Sequence, residues 1–371
     1  MTDWLAVADR VAEVASAHGD EGETLRRLPP VVVDALRDAG VLRMCVPAVY
    51  GGPEVDPPTV LRVIERIARA DGAAGWCTMI ATTTSLLSHY VEPAHARQIW
   101  GNPRHITGGV FARNASAVRV DGGYRVTGRW MWGSGTQHCD VITGGAVGEG
   151  FSGSMWFTPD QVTFHDTWHT SGLRGTGSGD FSVDDAFVPD GLATQPQLTG
   201  PLVESPLGRF PDMTLLAVGV AAAGLGIGRH ALDAIIELGN QKKPQFSSRT
   251  ISQSGVSQAE LAKAEATLRA ARAFLLDEVS HAWEIAVAGG RVDVAARGRM
   301  RLAGAHAAEA AVRAADVAYT LGGGSSVFEH SPLQRCLRDA HVVTQHIMVA
   351  PRLYETLGRL HFGIEIDATM I

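Results

Sequence analysis

The feature that most restricts the fold of this chain is a change in the spacing of its apolar residues. Before about residue 100 they recur at three- and four-residue intervals, which predicts helices. From about residue 106 apolar and polar residues alternate around Asp121-Gly122-Gly123, which predicts a β-hairpin. Near residue 212 the helical spacing returns. This order predicts an α+β protein that is mainly α. We expect a helical domain at 1–105, a β-domain at 106–200 and a four-helix bundle at 201–371.

Four long alanine-rich segments predict the bundle helices. They span residues 212–240, 256–288, 292–320 and 332–360. The glycine pair at 289–290 and the glycine triplet at 322–324 are typical of helix C-termini. Gly224-Leu-Gly-Ile-Gly228 lacks the spacing of a dinucleotide-binding loop and follows no strand, so it favours close helix packing. We therefore expect no nicotinamide site of the usual kind.

Charge and cysteine content exclude several classes of protein. The 32 basic and 39 acidic residues give a net charge of −7, and the basic residues are scattered, which argues against nucleic acid as a partner. The four cysteines are far apart, so neither a metal site nor a disulfide framework is expected. No signal peptide or long uncharged apolar stretch is evident. These observations predict a cytoplasmic protein outside the membrane.

Two glycine-rich segments contain side chains suited to binding a flat ligand. In 128–140, Trp130 and Trp132 offer apolar walls, and Ser134 or Thr136 offers a hydrogen bond at the ligand edge. The alternative is that both indoles pack the core of the β-domain. The segment 168–180 presents backbone N–H groups and hydroxyls that suit phosphate or ring oxygens, although a flexible connection has the same composition.

Three histidines are candidates for chemistry. His341 and His346 are predicted on the last bundle helix, about 140° apart around it, so they do not face one metal. One of them can serve as a general base while the other makes an interhelix hydrogen bond, and structural roles for both remain the alternative. His89 interrupts an apolar run, and it therefore needs either a partner or a pocket.

Taken together, several segments resemble the acyl-CoA dehydrogenase fold over essentially the whole chain. The order of helical domain, β-domain and four-helix bundle is the same. The matching segments are 36–47, 50–52, 128–140, 172–176 with 188–189, and 322–324 followed by 338–340. Each of these segments is weak alone, and together they are specific.

The resemblance also separates two chemistries. Many acyl-CoA dehydrogenases have a Tyr-Glu-Gly-Thr run whose Glu removes the substrate proton, but here the Tyr position holds His346 and the Glu position holds Ile347. Glu237 is the acidic residue to consider for a base on another helix. The chain is more similar to the two-component flavin-dependent monooxygenases, such as the 4-hydroxyphenylacetate and secosteroid phenol hydroxylases and dibenzothiophene monooxygenase. The shared features are 172–178, Ala70-Asp-Gly72 with Trp76, and His346.

That resemblance implies a cofactor and roles for particular residues. It implies that the protein takes reduced FMN or FAD from a separate flavin reductase, forms a C4a-hydroperoxide with O2, and oxygenates an aromatic or polycyclic small molecule. Ser134 is expected near flavin N5, His346 near the substrate, and His89 is a third catalytic candidate. The expected cofactor-binding residues are Trp132, Ser134, Thr176, Ser178, Phe246, Arg249, Gly322 and Gly323. Trp132 is expected to help enclose the flavin.

Two further points follow from the resemblance. The family's Arg-x-x-Phe motif is present only as Lys243-Pro-Gln-Phe246, with Arg249 as the substitute, so FMN and FAD both remain open. A homotetramer is expected, with the small-residue faces of 212–240 and 292–320 at its interfaces. The alternatives are an acyl-CoA dehydrogenase or related flavin oxidase, and a non-catalytic relative that only binds a ligand.

Overall fold

Helices, a mixed β-sheet and long helices follow one another in the order that the apolar spacing predicts. The computed structural model describes residues 2–368 and 371. The N-terminal helices are α1 (Trp4–Ala17), α2 (Gly19–Leu25), α3 (Pro30–Asp38), α4 (Pro57–Ala70), α5 (Gly72–Ser85) and α6 (Pro93–Trp100). The strands are β1 (Thr107–Val120), β2 (Gly123–Trp130), β3 (Val141–Gly148), β4 (Phe151–Phe157), β5 (Thr163–His165), β6 (Asp180–Pro189) and β7 (Ala193–Thr194). The later helices are α7 (Pro196–Thr199), α8 (Pro206–Arg209), α9 (Asp212–Gln241), α10 (Gly255–Val287), α11 (Val294–Gly322), α12 (Pro332–Val343) and α13 (Leu353–His361).

The helix α5 is the N-terminal element that reaches the candidate site. Its Asp71 cap accepts a hydrogen bond from the backbone N–H of Ala74 at 2.8 Å, which starts the helix directly after α4. Nearly every side chain of α5 is buried, because the helix packs against α9 on one side and β1 on the other. Because α5 is buried on all sides, its apolar residues are not confined to one face, which explains its weak amphipathic pattern.

The sheet has the strand order β5-β6-β2-β1-β3-β4-β7. Strands β1 and β3 are parallel, and every other described pair is antiparallel. The predicted hairpin is confirmed: Val120 pairs with Gly123, and Gly122 has the φ of 75° that such a tight turn requires. The segments 128–140 and 168–180 enter or leave β2 and β6, which are neighbours, so the sheet brings the two segments together.

Glycines and alanines on α9 and α11 serve the packing of these two helices on each other. A Cβ at Gly228 would lie 2.9 Å from the Cα of Ala311, so the helices approach too closely for a larger residue there. The prediction that Gly224–Gly228 mediates helix packing is confirmed. The expectation that these faces form subunit interfaces is wrong, because they are buried within the chain. Within the described residues, α9 alone is long and apolar enough to cross a membrane, but 89% of its apolar 18-residue stretch is buried inside the protein.

The fourth predicted bundle helix is interrupted. Residues 332–360 form α12 and α13, with a turn at 344–352 between them, so His346 lies in the turn and not on a helix. Pro351 lacks an N–H, and its ring would clash with the carbonyl of Ile347, so an α-helix cannot continue through this point. This break gives His346 a position that helical periodicity does not predict.

Candidate active site

Trp76 on α5 connects the segment 128–140 with the turn that carries His346. Its indole Nε1–H donates to Ser134 Oγ at 3.0 Å. Its ring meets the His346 ring edge-on, with 5.6 Å between the ring centroids. One indole therefore touches both the hydroxyl proposed for the cofactor and the histidine proposed for the substrate.

A chain of three buried hydroxyls runs away from Trp76. Ser134 and Ser178 Oγ atoms are 2.6 Å apart, and Ser178 Oγ and Thr176 Oγ1 are also 2.6 Å apart. Thr176 donates its only hydroxyl proton to the carbonyl oxygen of Leu173 at 2.8 Å, because a carbonyl can only accept. Ser178 must then donate to Thr176, and Ser134 must donate to Ser178. In this arrangement Ser134 presents a lone pair, and not a proton, to any ligand.

The loop carrying Thr176 and Ser178 is held by α12. The backbone N–H of Leu173 donates to Asp339 Oδ1 at 2.6 Å, and Leu173 has the left-handed φ of 48°. A Cβ at Gly172 would overlap the backbone of Arg338, so glycine permits the close approach. Trp168 Nε1 donates to Leu173 O at 3.1 Å. These contacts fix the glycine-rich loop in one conformation.

Two buried carboxyl groups lie behind this loop. Burial raises the pKa of Asp339 to about 7, and the Leu173 N–H partly opposes the rise. Burial likewise raises the pKa of Asp71 to about 6, against the effect of its backbone hydrogen bonds. The nearby Arg338 pairs with Glu23 at 2.8 Å. Asp71 and Asp339 therefore hold backbone N–H groups in place, and their protonation changes near neutral pH.

His346 is partly buried, and its ring accepts a hydrogen bond. The backbone N–H of Met348 donates to its Nδ1 at 3.3 Å. Burial and, to a smaller extent, the positive charge of Arg301 lower the pKa of His346 to about 4. The histidine is therefore neutral at physiological pH.

The two tryptophans of 128–140 have different roles. Trp130 is fully buried, stacks on Phe181 and donates to Gly145 O at 2.9 Å, so it packs the core of the sheet as the alternative interpretation held. Trp132 is 65% exposed and has a left-handed φ of 64°. The indole of Trp132 projects from the surface of the single chain, so its role in enclosing the flavin stays a prediction. An exposed indole beside Ser134 can still form one wall for a flat ligand.

A small apolar recess adjoins Ser134. Its lining is mostly aliphatic and includes Leu28, Val33, Leu36, Leu42, Ile80, Ala81 and Ile106, with Cys77, Cys139 and His138. Burial lowers the pKa of His138 to about 4, with smaller contributions from neighbouring arginines, so this ring is also neutral. The recess therefore suits an apolar group more than a charged one.

His89 lies elsewhere. Its Nε2 is 2.9 Å from Ser205 Oγ, and its Nδ1 is 3.0 Å from Leu86 O, so both ring nitrogens have partners inside the protein. Thirteen residues separate it from Trp76 along α5 and the following turn, about 20 Å at helical rise. The structure does not bring His89 to the site, and its ring meets the need for a partner that the sequence analysis identified.

Four of the expected cofactor-binding residues form a second group at the far end of the bundle. Lys242 Nζ donates to Gly322 O at 2.6 Å, which joins the end of α11 to the loop that carries Phe246 and Arg249. Gly323 follows Gly322 directly, and the Phe246 ring is 100% exposed. Trp76 packs near the middle of α9 and Gly322 lies against Leu238, so the two groups are about 24 Å apart along that helix. A basic and aromatic surface of this kind suits a phosphate and a flat ring.

The positions of His341 and Glu237 place both residues outside this site. His341 remains on α12 and pairs with Asp316 of α11 at 3.0 Å, which is the predicted interhelix contact. Glu237 is exposed on α9, nearly three turns beyond Ile227, which contacts α5 at Gly72. Ile347 is half-exposed beside His346. Among residues 2–368 and 371, no group of three or more His, Cys, Asp or Glu side chains is placed to hold a metal ion.

Sequence reasoning missed three residues that shape the site. Trp76 was noted only as part of a resemblance, and its contact with Ser134 depends on a tertiary approach. Asp339 shares the buried stripe of α12 with Cys336 and Val343, which marks it as a buried polar residue. Arg301 is in register with buried alanines four and seven residues later on α11. A charged residue in an apolar stripe is the signal that identifies such positions.

Comparisons with known proteins show the family of the chain. The N-terminal domain model of acyl-CoA dehydrogenases matches residues 5–97, and the C-terminal domain model matches residues 218–351. Indole-3-acetate monooxygenase of Pseudomonas putida is 33% identical over 92% of this chain and 89% of its own length.

Two further relatives cover almost the whole chain. The oxygenase subunit HsaA of a flavin-dependent monooxygenase from Rhodococcus jostii is 29% identical over 98% of this chain and 99% of its own. XiaF from Streptomyces sp., solved with FADH2 and glycerol, has a TM-score of 0.90 and 26% identity, covering 98% and 96% of the two chains. The names of the two sequence relatives share one reaction class, that of the monooxygenases. The chain therefore belongs to the flavin-dependent monooxygenases of the acyl-CoA dehydrogenase fold, as the oxygenase component of a two-component system.

Proposed function

We propose that the group formed by Ser134, Trp76 and His346 binds reduced FMN or FAD together with an aromatic or polycyclic small molecule, which the protein oxygenates with O2. The flavin comes from a separate reductase by diffusion. The single observation that carries the proposal is the indole of Trp76, which touches Ser134 on one side and the neutral ring of His346 on the other. A cofactor position and a substrate position are thereby adjacent.

The residues around Ser134 fit a reduced flavin. Ser134 presents a lone pair because its proton is directed to Ser178, and a reduced isoalloxazine ring carries a proton on N5. The exposed indole of Trp132 offers a flat wall, and the apolar recess keeps water away from one side of Ser134. The flavin, when bound, supplies the electrons that activate O2. The chain supplies orientation, a dry surface and hydrogen bonds.

The substrate side lacks the base that a dehydrogenase needs. Ile347 cannot accept a proton, and Glu237 is exposed far along α9. Neutral His346 is the polar side chain that the turn at 344–352 presents beside Trp76. This arrangement supports oxygenation and not removal of a proton next to a thioester.

The separation of the two cofactor-binding groups supports a shared site. Within one chain, about 24 Å along α9 separates the two groups. We propose that Phe246, Arg249, Gly322 and Gly323 contact the flavin bound at Ser134 of a neighbouring subunit, within a homotetramer located in the cytoplasm. The exposure of Phe246 in the single chain supports this assignment.

The test of this function is oxygen transfer. The protein is mixed with chemically reduced FMN or FAD and a panel of phenols, indoles and polycyclic aromatics under 18O2, and products are analysed by mass spectrometry. We expect one labelled oxygen atom per product, and a transient flavin absorbance in stopped-flow after oxygen is added. If neither the labelled product nor the transient absorbance is seen with FMN or with FAD, the proposal is contradicted. Enoyl product from an acyl-CoA with an artificial acceptor would support the dehydrogenase alternative, and neither activity would support a ligand-binding relative.

A further inference from the structure

The peptide of Met348 joins His346 to a buried arginine. Its N–H donates to His346 Nδ1 at 3.3 Å, and its carbonyl oxygen accepts from Arg301 Nη2 at 3.1 Å. Arg301 lies on α11 and is only 1% exposed. Arg301 therefore anchors the turn after α12 through the peptide of Met348, and the same peptide contacts the His346 ring.

The direction of the first hydrogen bond determines the tautomer of His346. A backbone N–H can only donate, so Nδ1 must offer its lone pair and carries no proton. The neutral imidazole then carries its proton on Nε2. Within the described part of the chain Nε2 has no hydrogen-bond partner, while the ring lies against Trp76. The nitrogen available to a ligand is thus the protonated one.

We propose that Arg301 and the Met348 peptide hold His346 as the neutral Nε2–H tautomer, so that His346 donates a hydrogen bond to an acceptor oxygen of the substrate and does not act as a base. The identity of the ligand in this proposal rests on the proposed function. The tautomer of His346 is independent of that function. Arg301 is a positioning residue, because it acts on the substrate only through the turn and the ring.

Protonation of His346 is opposed in two further ways. An imidazolium would place a second N–H against the N–H of Met348, which breaks that hydrogen bond. It would also add a positive charge close to Arg301, which is the charged group acting on the ring from α11, while α5 contributes the uncharged Trp76. Burial and this charge lower the pKa of His346 to about 4. The ring therefore stays a donor throughout the physiological range.

The tautomer restricts the substrate. A ring that donates through Nε2 matches an oxygen with a free lone pair, such as a phenolate, carboxylate or carbonyl oxygen. A neutral phenol that relies on this histidine to remove its proton does not match. We therefore expect substrates that bind with an acceptor oxygen directed at His346.

The direct test is NMR of the protein labelled with 15N-histidine, without flavin or substrate. We expect the His346 signals of the Nε2–H tautomer, identified by comparison with His346→Gln, unchanged from pH 5.5 to 8. The Nδ1–H pattern, or a titration midpoint between pH 6 and 7, would overturn the proposal. Because no flavin is present, this result is independent of whether the protein is a monooxygenase.

Substitutions of His346 separate a donor from a base. The side-chain NH2 of Gln occupies roughly the place of Nε2 and donates but cannot accept a proton, whereas Leu does neither. Under single turnover we expect His346→Gln to keep product yield within about 10-fold of wild type, and His346→Leu to lose about 100-fold or more. Equal losses in the two variants would exclude the donor role.

Substitutions of Arg301 test the positioning role. Arg301→Met removes the charge and the anchor, and we expect the NMR titration midpoint of His346 to rise by about one pH unit or more. Arg301→Lys keeps the charge, and the midpoint should stay near that of wild type. An unchanged midpoint in a folded Arg301→Met protein contradicts a role for Arg301. If that variant does not fold, Arg301→Gln gives the same comparison.

Discussion

Ser134 has one hydroxyl proton, and the neighbouring hydroxyls determine where it points. The chain through Ser178 and Thr176 ends at the carbonyl of Leu173, so every proton in it has one direction. Two side chains that look interchangeable in the sequence, Ser134 and Thr136, therefore differ in function. Thr136 donates to Gly133 O inside its own turn and has no proton for a ligand.

This difference predicts the effect of removing each hydroxyl. Ser134→Ala removes the lone pair offered to the flavin, and we expect hydrogen peroxide formed per product to rise about 10-fold, the value of one good hydrogen bond. Thr136→Val is the matched control in the same turn and should leave that ratio near wild type. Peroxide and product are measured after a single turnover with reduced flavin. A wild-type ratio in Ser134→Ala would show that its contact is not to the flavin.

The packing of α9 on α11 depends on glycine at one position and not at another. Gly228 lies against Ala311, whereas a Cβ at Gly239 would be 3.7 Å from Ile251, an ordinary contact. We expect Gly228→Ala to lower the free energy of unfolding by about 1–3 kcal/mol through overpacking. Gly239→Ala, in the same helix, should be neutral or stabilising by up to about 1 kcal/mol. Urea unfolding of both variants measures the difference, and equal effects would contradict this account.

The contact of α12 with the glycine-rich loop makes stability depend on pH. The pKa of Asp339 is raised to about 7 and that of Asp71 to about 6, so the folded protein keeps protons that the unfolded chain releases above about pH 4. The free energy of unfolding should therefore fall as pH rises from 4.5 to 7.5. Asn at either position keeps the acceptor oxygen that bonds Leu173 or Ala74.

The doubly substituted Asp71→Asn, Asp339→Asn protein tests this dependence. It should lose about 1–3 kcal/mol less than wild type over that pH range, because neither amide ionises. Urea unfolding at four or five pH values gives the two curves. If the two curves run parallel, the two carboxyl groups do not titrate in this pH range. If the curves diverge, the single variants show how much each carboxyl group contributes.

The whole molecule is expected to work only as an oligomer. If each flavin site joins Ser134 of one subunit to Phe246 and Arg249 of another, defects in different groups complement each other. We expect His346→Ala and Phe246→Ala/Arg249→Ala proteins to be nearly inactive alone. When co-expressed in equal amounts they should regain about one quarter of wild-type activity, because one site in four draws both intact groups from different subunits.

Two controls accompany the complementation experiment. Mixing the separately purified proteins without subunit exchange should restore nothing, and sedimentation velocity at micromolar concentration should give a tetramer. No recovery in verified mixed oligomers would place both groups in one subunit's site. A monomer in sedimentation would contradict the shared site altogether.

Local patterns in the sequence determined the elements and most of the residues of the site. Apolar periodicity reports which face of a segment is buried, and this depends on neighbours a few residues away, so α9, α10, α11 and the β1–β2 hairpin were predicted with nearly their observed bounds. Glycine-flanked hydroxyls also mark themselves locally, and Ser134, Thr176 and Ser178 were identified in this way, aided by a resemblance to a family. His346 was identified through the same resemblance, but on a helix.

Tertiary structure alone decided how those residues act. The exposure of Trp132, the contact of His89 with Ser205 and the separation of Phe246 from Ser134 all depend on distant parts of the chain. The tautomer of His346 depends on Arg301, which is 45 residues away in the sequence and joined to it by one peptide. A hydrogen bond has a direction and a partner, and neither is encoded in the spacing of residue types. Only the packed helices bring that partner into place.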